Sequence, residues 1–199
     1  RYGTVEGEEG IGYLQITEFD TVTLDQFNEA MAELRADDMK GLILDLRSNP
    51  GGDLSVVVEI ARRLLPAGLI TYTEVPSGQR TEYTCDGEYE IDIPMVVLIN
   101  GYSASAAEIL AGAIQDHNKG TVVGTTSYGK GIVQRLITLE DGSAVKLTVS
   151  GWFTPNGNNI QGSGIEPDVE AEYDTNLAET EGLDSQVEKG IEILKEKIG

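Results

Sequence analysis

Two short, almost unbroken apolar runs, residues 41–46 (GLILDL) and 95–99 (MVVLI), read as strands that must be covered on both faces. Each breaks into a turn of small residues, Asn49-Pro50-Gly51-Gly52 in one case and Asn100-Gly101-Tyr102-Ser103 in the other, and each turn leads into a helical pattern. A strand with no polar face, followed by a helix and another such strand, is the signature of βαβ units. The expected fold is therefore mixed α/β, built from βαβ units.

The remaining pattern fills in around that frame. Residues 11–19 (IGYLQITEF) alternate as a strand entered through Gly10 and Gly12. Thr23 and Gln26 have capping-box spacing, ahead of a helix with Leu24, Phe27, Met31 and Leu34 on one side. After Gly52, Val57, Ile60, Ala61 and Leu64 mark a second helix face. Residues 69–92 read as strands or a hairpin about Ser77-Gly78-Gln79-Arg80, residues 104–117 as a helix and 121–127 as a strand. Residues 132–139 and 143–153 are β-rich, 155–164 is a Gly- and Asn-rich loop, and 184–198 is an amphipathic helix carrying Val187, Ile191, Leu194 and Ile198. No internal repeat or low-complexity block is present.

Composition narrows function more than fold. The 199 residues, 40% of them hydrophobic, suit one domain with a real core. With 34 acidic against 14 basic side chains the net charge is −20, which repels phosphate backbones and anionic headgroups and argues against nucleic-acid and membrane-surface partners. No apolar run approaches the roughly 20 residues of a membrane span. Cys85 is the single cysteine and His117 the single histidine, so an internal disulfide, a cysteine-based zinc cluster and a multi-histidine metal site are all excluded. The sequence starts at Arg1 rather than Met, as expected of a mature form or an excised piece, so a missing targeting signal says little.

Three segments have chemical potential. In Val97-Leu98-Ile99-Asn100-Gly101-Tyr102-Ser103-Ala104-Ser105-Ala106-Ala107-Glu108 a buried strand turns into a helix start, where free N–H groups and the positive dipole end favour an oxyanion beside a serine hydroxyl. The bland alternative is that Ser103 or Ser105 is only an N-cap. The stretch Gly124–Gly131 approaches a phosphate-binding loop, but Gly131 stands where that loop needs Ser or Thr, and the following residues read as a strand instead of a helix. What is left is Lys130, between two glycines, either an exposed loop charge or a base held in a closed site. In Asp45–Gly52 the glycines can aim bare N–H groups at a ligand oxygen, or simply make the strand-to-helix turn. His117 cannot serve Ser105 as base: twelve residues along one helix is roughly 18 Å, against the roughly 3 Å a hydrogen bond needs. A lysine base remains, and near pH 7–8 it must lose roughly 3 units from its usual ~10.4, a shift that burial can supply.

Taken together and in register, Asp45–Gly52, Ser103–Glu108, Tyr128–Gln134, and Thr154-Pro155-x-Gly157 with Gly164–Asp168 resemble the core of the carboxyl-terminal processing proteases, the S41 family of serine peptidases, over about residues 10–172. The resemblance implies a crotonase-like α/β core of βαβ units with additional β-rich segments. It implies Ser105 as nucleophile, Lys130 as general base and Gln134 as the residue that positions the lysine. Oxyanion donors would be the backbone N–H groups of Gly52 and Ala106, with Gly51 as neighbour. Ala107 stands where many members have a serine, a departure that touches none of these roles. The family normally carries a PDZ domain ahead of the core, whereas here about ten residues precede the first strand. The expected organisation is a peptidase core over 1–172 without that domain, then an acidic linker and amphipathic helix over 173–199.

The expectation is a serine endopeptidase that cleaves unfolded or C-terminally exposed polypeptide through an acyl-enzyme, with activity rising with pH. A non-catalytic binding module on the same fold, and a core inactive without N-terminal domains, are the alternatives. No metal or organic cofactor is implied. The implied partner is a polypeptide substrate, homo-oligomerisation is left open, and the implied location is outside the bacterial cytoplasm.

Overall fold

Leu42 and Leu44 belong to one hydrophobic cluster and Ile43 to another, and the same alternation separates Val97 and Ile99 from Val96 and Leu98. Strands that feed two cores at once must lie at the centre of a covered sheet. The computed structural model, which describes all 199 residues, shows that sheet in full. Its strands are β1 (Tyr2–Thr4), β2 (Ile11–Gln15), β3 (Gly41–Asp45), β6 (Met95–Ile99), β7 (Thr121–Gly124) and β10 (Val169–Glu170), in the order β1-β2-β3-β6-β7-β10. All neighbours pair in parallel except β1, which is antiparallel to β2 at one edge.

The helices α1 (Thr23–Ala36), α2 (Leu54–Ala61) and α3 (Ala106–Asp116) contribute their buried side chains to the larger cluster, with Phe27, Leu34, Ile60 and Leu110 among them. Helix α5 (Ser185–Ile198) covers the opposite face through Ile191 and Leu194, which pack with Ile43, Val96 and Leu98. Its apolar stripe is therefore satisfied by this chain's own sheet. A second sheet, ordered β5-β4-β9-β8, is formed by β4 (Gly68–Glu74), β5 (Arg80–Cys85), β8 (Ile132–Thr138) and β9 (Ala144–Phe153). Trp152 of β9 is buried in the larger cluster and fixes this sheet to the helices. No helix is long and apolar enough to cross a membrane.

The mixed α/β class stands, while several local expectations are corrected. The strand expected over 11–19 ends at Gln15, and Phe19 makes only an isolated bridge to Gly52. The expected Thr23/Gln26 capping box is not what starts α1; the Asp20 carboxylate takes the N–H of Val22 and of Thr23 and the Thr23 hydroxyl instead. The strand expected over 121–127 stops at Gly124. A short helix, α4 (Thr175–Glu181), lies in the segment expected as a linker; with no buried residue it has no apolar stripe to announce it.

Candidate active site

The turn after β6 is fixed before the helix begins. The Ser103 hydroxyl, fully buried, donates to the Leu46 carbonyl at 2.8 Å and accepts the Asn100 N–H at 3.0 Å. Ser103 is thus a structural tie between β3 and β6, and its oxygen is committed. The Ala104 N–H donates to the Asn49 carbonyl at 2.9 Å, so the two small-residue turns are joined directly. Ser105 follows at the N-cap of α3 with φ +55° and ψ −116°, a region that residues with a side chain avoid.

The backbone of Ser105 is held by Glu108. That carboxylate is fully buried, and its Oε2 accepts the N–H of Ser105 at 2.7 Å and of Lys130 at 2.9 Å. Its Oε1 accepts the Gly129 N–H at 2.6 Å and the Ser127 hydroxyl at 2.5 Å. A buried charge is tolerated when its acceptor capacity is filled in this way. Ser105 and Lys130 lie 25 positions apart in the chain, yet one carboxylate oxygen fixes both. The Lys130 carbonyl in turn accepts the Trp152 indole N–H at 2.7 Å, which ties the lysine loop to the second sheet.

The glycine turn approaches from the other side. Asn49, fully buried, donates to the Ile16 carbonyl at 2.8 Å and accepts the Gly51 N–H at 2.8 Å. Gly51 has φ +105°, and a Cβ there would lie 2.7 Å from the Ser105 Cβ, so only glycine lets this backbone come so close to the serine. Gly52 has φ +141°, and its Cβ would meet the Phe19 carbonyl oxygen at 2.1 Å. The N–H groups of Gly52 and of Ala106, the first residue of α3, donate to no protein group. Two N–H groups left without a protein acceptor on either side of a serine can receive a developing oxyanion.

These residues surround one cavity of about 270 Å³, lined by Gly52, Ser105, Ala106, Lys130 and Gln134 together with Leu54, Ile109, Ile132, Val133, Lys146 and Trp152. The structure thus brings Ser105, Lys130, Gln134, Gly52 and Ala106 into one cleft, with Gly51 packed directly behind the serine. Gln134 is exposed, and its amide makes no hydrogen bond to Lys130. Size alone would point elsewhere: the larger groove, about 500 Å³ between β1, β2 and α1, contains no lysine and no serine. His117 caps the far end of α3, and its Nε2 lies 2.7 Å from the Leu69 carbonyl.

Behind the glycine turn, Asp45 and Arg47 anchor the chain. Arg47 is paired through Nε at 2.9 Å and a terminal nitrogen at 2.6 Å to the fully buried Asp45, and reaches Asp184 at 2.8 Å and Gln186 at 2.8 Å. Burial works against the guanidinium charge, but Asp45 and then Asp184 outweigh it, and the proton is held more tightly than in water. The Tyr13 hydroxyl donates to Asp45 at 2.6 Å, and burial first, then that carboxylate, pushes the phenol above its ordinary range. No group of three or more His, Cys, Asp or Glu side chains is placed to hold a metal ion.

Reading the sequence left Glu108, Asn49, Trp152 and Lys146 without a role. Only Glu108 carried a local signal, the capping-box spacing Ser105-x-x-Glu108, and that signal accounts for one of its four bonds.

Comparison with known proteins bears on the family and the fold. The model of peptidase family S41 matches residues 10–171. A carboxyl-terminal-processing protease of Synechocystis sp. is 41% identical over 160 residues, covering 80% of this chain and 38% of its own length. A carboxy-terminal-processing protease of Bartonella bacilliformis is 40% identical over 193 residues, covering 89% of this chain and 44% of its own. The solved structure of a photosystem II D1 C-terminal processing protease superposes with a TM-score of 0.78 at 34% identity, over 92% of this chain and 46% of that one. The chain therefore spans about two fifths of the length of the curated relatives it matches.

Proposed function

Because this chain belongs to peptidase family S41, we propose that it is a serine endopeptidase acting on unfolded or C-terminally exposed polypeptide. One observation carries the reading: a single buried carboxylate, Glu108, holds the backbones of Ser105 and Lys130, and both side chains line the same cavity. A serine held at an avoided backbone conformation beside a lysine and two free N–H groups is the part list of acyl transfer.

The Ser105 oxygen attacks the scissile carbonyl carbon while Lys130 removes the hydroxyl proton. The carbonyl oxygen takes up the negative charge between the N–H groups of Gly52 and Ala106, where fixed donors are worth more than water because they need not reorganise. Collapse of the tetrahedral intermediate breaks the C–N bond, and Lys130 returns its proton to the departing amine. Water, deprotonated by the same lysine, then hydrolyses the acyl-enzyme. We assign Gln134, which lines the cleft, the task of orienting the lysine side chain. By the same family reading, the enzyme works outside the bacterial cytoplasm.

The test is cleavage of casein, followed by intact mass, with the wild type, Ser105→Ala and Lys130→Ala. We expect fragments from the wild type and a loss on the order of 10⁴-fold or more in each variant. Identical fragments from all three would remove Ser105 and Lys130 from the mechanism. No fragments from any would mean that this chain does not suffice for cleavage, the outcome favoured if the longer relatives need their further segments.

A further inference from the structure

Of the seven lysines, Lys40, Lys119, Lys189 and Lys195 form ion pairs and Lys197 donates to the Thr121 hydroxyl. The two that make no side-chain bond are Lys130 and Lys146, and both line the cavity that holds Ser105. In a chain with 34 acidic side chains this is a specific omission, and no Asp or Glu lines that cavity. The acid buried behind it, Glu108, has both oxygens occupied by the chain's own donors. Lys130 is the base of the proposed mechanism, so Lys146 is the lysine of the cleft left free to meet a substrate group.

Its position suits contact with a bound chain. Lys146 lies opposite Leu136 in the β8–β9 ladder, two residues from Thr148, the partner of Gln134. Side chains two apart on a strand share a face, so Lys146 and Gln134 project from the same side of the hairpin. Strand β8 is the outermost of its sheet and has one edge without a partner strand, so an extended polypeptide can lie beside it. A sphere of about 270 Å³ is roughly 8 Å across, which an extended chain crosses in two or three residues at ~3.3 Å each.

We propose that Lys146 is a specificity-determining residue that binds a carboxylate of the bound polypeptide within two or three residues of the scissile bond. That carboxylate is either the α-carboxylate of a nearby C-terminus or an Asp or Glu side chain; both present the same pair of oxygens to an ammonium. The inference rests on the peptidase reading above.

Peptides spanning a cleavage site mapped in casein would be made in three forms: ending in a free carboxylate three residues beyond the scissile bond, the same peptide amidated, and the amidated peptide with Glu in place of Gln at each of the three positions on either side. For the wild type we expect kcat/KM about tenfold higher for a carboxylate form than for the neutral amide, and the form that benefits identifies the source. Lys146→Met should bring that ratio to about one. Lys146→Glu should invert it and give a preference for a peptide with Lys at the same position. A wild type without preference, or a ratio unmoved by Lys146→Met because all peptides slow equally, would overturn the proposal, the latter showing that Lys146 acts on the catalytic groups instead. If the wild type cleaves nothing, this chain does not suffice for cleavage, and that result leaves the Lys146 question to binding. Calorimetric binding of overlapping casein peptides, each made with a free C-terminal carboxylate, amidated, and amidated with Glu in place of Gln, to Ser105→Ala with and without Lys146→Met then decides the Lys146 question: a tenfold weaker Kd confined to the carboxylate forms upholds it, and equal Kd values reject it.

Discussion

Ser105 holds a backbone conformation, φ +55° with ψ −116°, that costs a non-glycine residue about 1–3 kcal/mol. The cost is sustained because Glu108 grips its N–H, and Gly51 leaves no room for the chain to relax on that side. Glycine would adopt the same angles without strain. We therefore expect Ser105→Gly to abolish cleavage and raise stability by about 1 kcal/mol in urea unfolding, while Ser105→Ala abolishes cleavage without that gain. Equal stability of the two variants would show that the serine is not strained. At this scale the sequence was legible by resemblance: the motifs around Ser105, Lys130 and Gly52 could be matched to a family, and all three residues line one cleft. Glu108 was not legible, because three of its four partners lie 19 to 22 positions away, and nothing in a linear pattern joins them. The same holds for Lys146, whose place in the cleft depends on how a hairpin folds back over a helix start.

Among the elements, the apolar runs at β3 and β6 were readable because burial on both faces leaves no polar position to confuse the pattern. Helix caps were harder to assign. Helix α1 begins at Thr23 as expected, but its capping was misassigned: Asp20, three residues earlier, takes the Thr23 N–H and hydroxyl, and only the fold shows which side chain does the capping. Helix α2, which carries the glycine turn, is capped by Asp53, whose carboxylate accepts the Ser55 hydroxyl at 2.6 Å and the Ser55 N–H at 2.7 Å. The hydroxyl bond foremost, then the backbone bond, holds this carboxyl below the ordinary range. A group with a lowered folded-state pKa contributes its stability above the unfolded value, ~3.9, and loses it as pH falls through the folded one. Asp53→Ala should thus be less stable than the wild type by about 1 kcal/mol at pH 7, and the difference should shrink below about pH 4. A difference that stays constant from pH 7 to pH 3 would mean that the cap does not act through its charge.

For the whole molecule, the decisive relation is between the two sheets. Helix α3 continues from β6 of the first sheet, and the 127–131 loop leads into β8 of the second. The reading of an α/β core with added β-rich segments captured both parts but not their seam, since pairing across sheets leaves no local periodicity. Glu108 sits at that seam. If the sheets part, Ser105, Gly129 and Lys130 lose their common acceptor in a single event. Amide hydrogen exchange should accordingly report one opening free energy for these three N–H groups, with the unbonded amides of Gly52 and Ala106 exchanging far sooner. A Lys130 amide that exchanges a hundredfold faster than that of Ser105 would contradict this. Ser105 and Lys130 would then open as one cooperative unit, and under the proposed mechanism nucleophile and base would be lost together rather than one at a time.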